Sequence, residues 1–185
     1  MQENARKTTR CHIRELAWLL IILSVATVLR VIRLGQMPFN AVDASLAADA
    51  LAMSNNAFSG QSALAAYTGI TGVLFYLTNS TNIIARFLPV LAGISIVVLS
   101  FLIVNRLDMR VAVLFSLGLA LDPFMLMLSR QIMTPMITLA GLGWGVYAFQ
   151  HKKYILAGCL SAVAMLGGYY FWVIALFILL MWALS

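Results

Sequence analysis

Long apolar runs separated by short polar segments dominate this sequence. About 20 apolar residues are needed for a helix to cross a bilayer, and on that scale the runs predict six transmembrane helices. The predicted spans are approximately residues 16–34, 83–104, 111–128, 135–149, 154–166 and 171–185. The expected fold is therefore all-α, a polytopic integral membrane protein with about six transmembrane helices.

The most polar stretch, residues 35–62, begins a long loop at residues 35–82 between the first two predicted spans. It is expected to begin with an amphipathic helix, for which Asp43 is well placed as the N-cap. Its apolar contacts are expected from Val42, Leu46, Leu51 and Met53. Residues 63–78 are apolar enough to insert, but another full span there would break the alternation of charged loops. We expect a helix that lies on the membrane or dips into it, with a full span as the alternative.

The composition agrees with a membrane protein. Of the 185 residues, 63% are hydrophobic and only 10% are charged, whereas a soluble domain is about half apolar and about a quarter charged. Hydrocarbon must therefore be part of the solvent of this chain. The net charge of +6 comes from basic residues scattered at the ends of apolar runs. No basic stripe interleaved with aromatic residues is formed, so we expect no nucleic-acid partner.

The loop charges indicate the orientation, because basic loops stay in the cytoplasm. The N-terminal tail (residues 1–15), the turn at residues 105–110 and the Lys152-Lys153 turn are basic and alternate correctly between the predicted spans. The 35–82 loop contains two acids and no lysine or arginine. We therefore expect a multi-pass protein of the cell membrane, with a cytoplasmic basic tail at 1–15, a transmembrane domain at 16–185 and an outer loop at 35–82.

Several charged residues lie where a passive membrane protein would not place them. The outer ends of the predicted spans carry Arg30, Arg33, Arg86 and Arg130, and Asp122 lies within the third span. Ionisable groups in a span usually face a partner or a wet cavity. The functional interpretation is an outer-leaflet pocket in which the arginines hold an anionic headgroup such as a lipid phosphate, because a guanidinium group binds phosphate oxygens bidentately.

A structural interpretation of the same charges stays open. Arg30 and Arg33 can extend to the membrane interface, and Asp122 can neutralise a neighbouring arginine or, with Pro123, mark a helix kink. Asp49 is a second candidate charge partner. It is six residues from Asp43, or about 120° around a helix, so the two acids do not form a pair on one face.

Asp43 has two interpretations, the helix N-cap described above and a general base that deprotonates an acceptor hydroxyl or amine. No metal or cofactor site is expected, since the histidines and cysteines have no metal-ligand spacing. The alternating glycines Gly141, Gly143 and Gly145 follow no strand, so they indicate close helix packing rather than a nucleotide loop.

Several short motifs follow one another in a definite order. They are residues 29–35 (LRVIRLG), Pro38 and Asp43 before an alanine-rich helix, residues 85–88 (ARFL), Pro123-Phe124 and residues 128–130 (LSR). Their order and spacing resemble the start of the GT-C glycosyltransferases, polytopic enzymes related to protein O-mannosyltransferases and to lipid A aminoarabinose transferase. The resemblance covers residues 16 to about 180.

The resemblance implies a large first outer loop with a catalytic acid, a sugar donor carried on a polyprenyl phosphate, and transfer to an acceptor on the outer face. Asp43 occupies the place of the acid, and Arg86 and Arg130 are in positions suited to the phosphate. Two departures are Ala44, where the family commonly has a glutamate, and Gln131, where an acid often follows the arginine. Family members are much longer, so we expect an N-terminal portion, a split subunit or a degenerate relative that works with a further membrane protein chain.

Two functions therefore compete. The first is a GT-C-like glycosyltransferase, or its N-terminal part, with membrane lipids and a polyprenyl-phosphate sugar donor as partners. The second is a non-catalytic scaffold or lipid-binding subunit of a larger membrane complex. A small transporter is less favoured, because no predicted span has the paired acids or the unwound middle segment of typical carriers.

Overall fold

A computed structural model describes residues 2–32, 34–36, 38–55, 65–78, 81–132 and 135–166. Over these residues the chain is helical and contains no strand, which confirms the all-α prediction. The helices are α1 (Gln2–Val31), α2 (Ala41–Ser54), α3 (Ala65–Leu77), α4 (Asn82–Ala85), α5 (Phe87–Val104), α6 (Met109–Leu121), α7 (Pro123–Arg130), α8 (Met136–Gln150) and α9 (Tyr154–Leu166), with a 3-10 turn at Leu34–Gln36.

Two helical segments are long and apolar enough to cross a membrane, Glu15–Gln36 and α5. A third exists if α6 and α7, which meet at a 55° bend, form one span. α8 and α9 have 15 and 13 residues, fewer than the roughly 20 that a spanning helix needs. The sixth predicted span, 171–185, lies outside the described residues. The described residues thus contain two or three candidate spans, fewer than predicted.

The candidate spans present most of their side chains to the surroundings. Only 17% of the Glu15–Gln36 segment and 33% of α5 are buried inside the protein. Large apolar residues such as Leu16, Leu114 and Ile155 are 58%, 72% and 87% exposed. Apolar surface of this extent is a liability in water and is expected where lipid covers it.

The helix α5 is the centre of the fold, since it contacts α1, α6, α7 and α8. One core cluster joins α1, α5 and α6 and consists of Ile22, Ala26, Val97, Phe101, Ala112 and Ala120. A second cluster joins α2, α3 and α4 to the segment after α7 and consists of Leu46, Ala50, Tyr67, Phe75, Ala85 and Ile132. The candidate site described below lies beside this second cluster.

α8 and α9 pack closely through glycines. A Cβ atom on Gly141 would lie 2.9 Å from the Leu160 carbonyl oxygen, and one on Gly145 would lie 3.0 Å from Ser161 Oγ. A Cβ atom on Gly143 would meet Leu99 of α5 at 2.7 Å. The prediction that these glycines allow close helix packing is confirmed.

The bend between α6 and α7 has a local cause. α6 ends at Leu121, and Pro123 begins α7, a position where proline needs no amide hydrogen. The Asp122 carboxylate accepts a hydrogen bond of 3.0 Å from the Phe124 N–H and so caps α7. The predicted kink at Asp122-Pro123 is confirmed.

The helix α2, in the 35–82 loop, begins earlier than predicted. Asn40 is its N-cap, with Asn40 Oδ1 accepting a 2.7 Å hydrogen bond from the Ala41 N–H. The prediction that Asp43 is the N-cap is therefore wrong, because Asp43 already lies within the first turn of the helix. Of the predicted apolar contacts Leu46 is buried, whereas Val42, Leu51 and Met53 are 41%, 39% and 38% exposed.

Candidate functional site

Asp43 is a buried acid. It shares a face of α2 with Leu46 and Ala50, three and seven residues further along, and these apolar residues pack into the second core cluster. Burial of this face leaves Asp43 only 4% exposed. Asp43 Oδ1 accepts a 3.1 Å hydrogen bond from the Ile132 N–H, 89 residues away. A buried carboxylate requires such partners, and this one joins α2 to the segment after α7.

Arg86 lies at the break between α4 and α5 and is 2% exposed. Its Nη1 donates to the Leu34 carbonyl at 3.2 Å and its Nη2 donates to the Pro38 carbonyl at 2.9 Å. Its guanidinium carbon lies 4.8 Å from the centre of the Phe39 ring, a cation–π distance. Arg86 thus fixes the backbone that leads into α2, and it lies close enough to Asp43 for their opposite charges to attract.

Tyr67 closes this part of the site. Its hydroxyl donates a 2.9 Å hydrogen bond to the Ala85 carbonyl, and its side chain is 1% exposed. Burial raises the pKa of the Tyr67 hydroxyl, Thr71 and Arg86 act in the opposite direction, and the nearby Asp43 carboxylate adds to the rise. Tyr67 therefore stays a neutral hydrogen-bond donor.

Arg130, the last residue of α7, connects α7 to α1. Its Nη2 donates to the Leu29 carbonyl and, at 3.5 Å, to the Ile32 carbonyl. Its Nε is buried and has no hydrogen-bond partner among the described residues. These bonds hold the C-terminal ends of α1 and α7 close together.

Arg30 is almost completely buried, at 1% exposure, within the apolar helix α1. Its Nη1 donates to the Ala26 carbonyl at 3.2 Å, and its Nε has no hydrogen-bond partner in the described part of the chain. Its positive charge is close enough to Arg130 for the two groups to repel each other. Two neighbouring guanidinium groups in an apolar setting favour binding of an anion.

A cavity of about 340 Å³ connects several of these groups. It is lined by Pro38, Asn40, Asp43, Arg86, Pro123, Leu126, Met127, Arg130 and Gln131. Its volume lies within the range of small-molecule sites, about 300–1,000 Å³. Its lining includes three charged residues, Asp43, Arg86 and Arg130, and the apolar side chains of Pro123, Leu126 and Met127. The arrangement suits a ligand that is both anionic and lipid-like.

The structure brings together three of the predicted site residues, Asp43, Arg86 and Arg130, around this cavity. Arg30 lies near Arg130 but does not line the cavity, and Arg33 lies outside the described residues. Asp49 is half-buried on α2 and does not line the cavity either. The carboxylate of Asp122 caps α7, so the structure shows it in a structural role.

Sequence reasoning missed Asn40 and Tyr67. Asn40 had a readable signal, since asparagine is among the best N-cap residues. Tyr67 had none, because an aromatic residue in an apolar helix predicts only packing.

No group of three or more histidine, cysteine, aspartate or glutamate residues that could hold a metal ion is found in the described part of the chain. Comparison with known protein families, with curated proteins and with solved structures finds no match to this chain, so its interpretation rests on its own residues.

Proposed function

We propose that this chain is a GT-C-like membrane glycosyltransferase, or the N-terminal part of one, that transfers a sugar from a polyprenyl-phosphate donor to an acceptor on the outer face. The observation that carries the proposal is the buried Asp43 carboxylate, which lines the same 340 Å³ cavity as Arg86 and Arg130. Such a transfer needs a base for the acceptor and positive charge for the departing phosphate.

The arginines suit the phosphate. Burying an unpaired charge costs several kcal/mol, and Arg30 and Arg130 are neighbouring cations with unbonded Nε atoms. A phosphate bound beside Arg130 would offset this cost and would also lower the repulsion between the two arginines. The apolar side of the cavity would accommodate the first part of the prenyl chain.

Asp43 is suited to act as the general base of the transfer. In the proposed step the carboxylate accepts the proton of an acceptor hydroxyl or amine. The acceptor atom forms a bond to the anomeric carbon of the sugar while the bond from that carbon to the phosphate oxygen breaks. The bonding electrons leave with the polyprenyl phosphate, whose negative charge is stabilised by the arginines.

The six-span topology with a cytoplasmic N-terminus belongs to the same proposal. Arg106, in the turn between α5 and α6, donates a hydrogen bond to His151 in the turn between α8 and α9. The two basic turns therefore lie at the same end of the bundle, which supports the alternation expected of cytoplasmic loops. A further membrane protein chain would cover the exposed apolar residues of α9, among them Tyr154, Ile155 and Leu156.

The competing function is a non-catalytic scaffold or lipid-binding subunit. One observation favours it: Asp43, Arg86 and Arg130 all bond to backbone groups of other elements. The same cluster can therefore lock the outer ends of the helices together without performing chemistry.

The transfer assay distinguishes the two functions. Native membranes containing the chain are supplied with polyprenyl-phosphate-linked radiolabelled sugars, and label in the acceptor fraction is measured for the wild type, Asp43→Asn and Asp49→Asn. An enzyme loses at least about 100-fold of its rate with Asp43→Asn, since a general base contributes 10²–10⁴-fold. Asp49→Asn is the matched control on the same helix and should keep the wild-type rate. Equal rates for all three chains would refute the role of Asp43 as base and favour the scaffold.

A further inference from the structure

A second groove lies at the opposite end of the bundle, between α1 and the start of α6. Its volume is about 430 Å³, and it is lined by Trp18, Asp108, Met109, Arg110, Val113 and Leu114. Its walls are part polar and part apolar, and Trp18 and Leu114 are 39% and 72% exposed. Arg110 supplies its positive charge and is itself exposed.

The two charged residues of this groove differ in their hydrogen bonding. Asp108 caps α6, with Asp108 Oδ1 accepting a 2.8 Å hydrogen bond from the Arg110 backbone N–H. The Arg110 guanidinium group makes no hydrogen bond or ion pair with any residue that the structure describes. The acid is therefore held at the helix end, while the cation is available to a ligand.

The surroundings of the groove are strongly basic. Arg106 bonds to His151, so the α8–α9 turn with its exposed lysines Lys152 and Lys153 lies at this end of the bundle. Together with Arg110 the two lysines produce a positive field that attracts anionic membrane lipids, against the single carboxylate of Asp108 in the groove wall.

The groove also lies near the ends of two candidate membrane spans. Trp18 is in the first turn of the candidate span Glu15–Gln36, and α6 begins just beyond Val104, the last residue of the candidate span α5. Both positions correspond to the edge of a bilayer, where tryptophan side chains concentrate. A groove at this level faces lipid headgroups on one side and acyl chains on the other.

We infer that this groove binds one anionic phospholipid of the adjacent leaflet. The phosphate pairs with Arg110, and an acyl chain lies along Trp18, Val113 and Leu114. This inference is independent of the proposed transferase activity, because it shares no residue with the Asp43 cavity.

The test uses the full chain purified in mild detergent and titrated with phosphatidylglycerol or phosphatidylcholine, with bound lipid counted by native mass spectrometry. Arg110→Gln removes the phosphate partner, and Arg110→Lys keeps the charge. Arg106→Gln is the matched control, since it removes an equal charge four residues earlier in the chain, from a side chain that does not line the groove. Leu114→Gln makes the apolar wall polar, and circular dichroism checks that each variant keeps its helices.

We expect phosphatidylglycerol to bind at least about tenfold more tightly than phosphatidylcholine, and Arg110→Gln to weaken it about tenfold, as expected for one charge-assisted hydrogen-bonded contact. Arg110→Lys should retain most of the binding, Arg106→Gln should change it less than twofold, and Leu114→Gln should weaken both lipids. Equal losses for Arg110→Gln and Arg106→Gln would overturn the inference in favour of diffuse surface charge. Equal binding of the two lipids, or no effect of Leu114→Gln, would also overturn it.

Discussion

Gly93 of α5 lies where α5 passes closest to the arginine-bearing ends of α1 and α7. A Cβ atom added to Gly93 would lie 2.6 Å from Ser129 Cβ and 3.0 Å from Arg30 Nε. Ser129 Cβ is attached directly to the backbone of α7, so it cannot move without the helix. Gly93→Ala should therefore push α7 and the adjacent Arg130 away from α5.

The size of the effect follows from the contact. Carbon atoms normally approach to about 3.5–4.0 Å, so the new methyl group would overlap Ser129 by about 1 Å. Overpacking of this kind costs about 1–3 kcal/mol, while replacing a helical glycine by alanine gains about 1 kcal/mol. Gly118→Ala in α6 has the gain without the clash, because no atom lies within 4 Å of its added Cβ. The two variants should differ in unfolding free energy by about 1–3 kcal/mol, with Gly93→Ala the less stable.

The assay is reversible unfolding in mixed micelles of mild detergent and dodecyl sulfate, followed by circular dichroism. Ser129→Gly removes the atom with which the new methyl group clashes, so the double variant Gly93→Ala, Ser129→Gly should show a favourable coupling energy of about 1 kcal/mol or more. Equal stability of Gly93→Ala and Gly118→Ala, or a coupling energy of zero, would contradict the close contact between α5 and α7. It would also contradict the position of Arg130 beside Arg30.

Three further substitutions test separate parts of the fold by the same unfolding measurement. Tyr67→Phe should lower the free energy of unfolding by about 1–2 kcal/mol, because a buried carbonyl of α4 loses its hydrogen-bond donor. Tyr76→Phe, at a side chain 76% exposed, should change it by less than about 0.5 kcal/mol. Equal effects of the two substitutions would contradict the Tyr67 hydrogen bond. Lys152 has a left-handed backbone with φ of 60°, so Lys152→Gly should stabilise the protein by about 0.5–1 kcal/mol, and a loss would contradict that conformation. Asp122→Ala should cost about 1 kcal/mol and Asp122→Asn much less, since asparagine also caps helices; equal losses would argue against the cap.

The positions of the helices followed largely from local signals. The predicted span 154–166 coincides with α9, and the predicted 135–149 differs from α8 by one residue at each end. Polar and basic residues that cannot remain in the apolar layer mark these ends. The number of spans is harder to predict. The same turn signals leave α8 and α9 with 15 and 13 residues, whereas a helix needs about 20 apolar residues to cross a bilayer.

The N-cap of α2 shows where local signals fail. Asn40 and Asp43 both have side chains that cap helices well, so either could begin the helix by sequence alone. The difference arises from tertiary structure: the α2 face that carries Asp43 packs against the segment after α7, where the Ile132 N–H provides a partner for the carboxylate. No pattern within α2 indicates a contact 89 residues away.

Local signals predict only part of the candidate site, because the rest depends on contacts between distant helices. Arginines at the outer ends of apolar runs are visible in the sequence, and they indicated an anion site. The burial of Arg30 beside Gly93 and the bonds from Arg130 to α1 depend on how α1, α5 and α7 pack. Hydrophobic periodicity predicts which face of a helix is apolar but not which neighbour it meets.

The proposed function requires the cavity beside Asp43 to hold a lipid phosphate. The most direct measurement is the binding of a polyprenyl phosphate to the purified full chain, compared between the wild type, Arg130→Gln and Arg106→Gln. Arg130 lines the Asp43 cavity, whereas Arg106 lines neither that cavity nor the groove at the other end of the bundle. We expect Arg130→Gln to weaken binding at least about tenfold and Arg106→Gln to change it less than twofold. Equal binding by the wild type and Arg130→Gln would contradict the account.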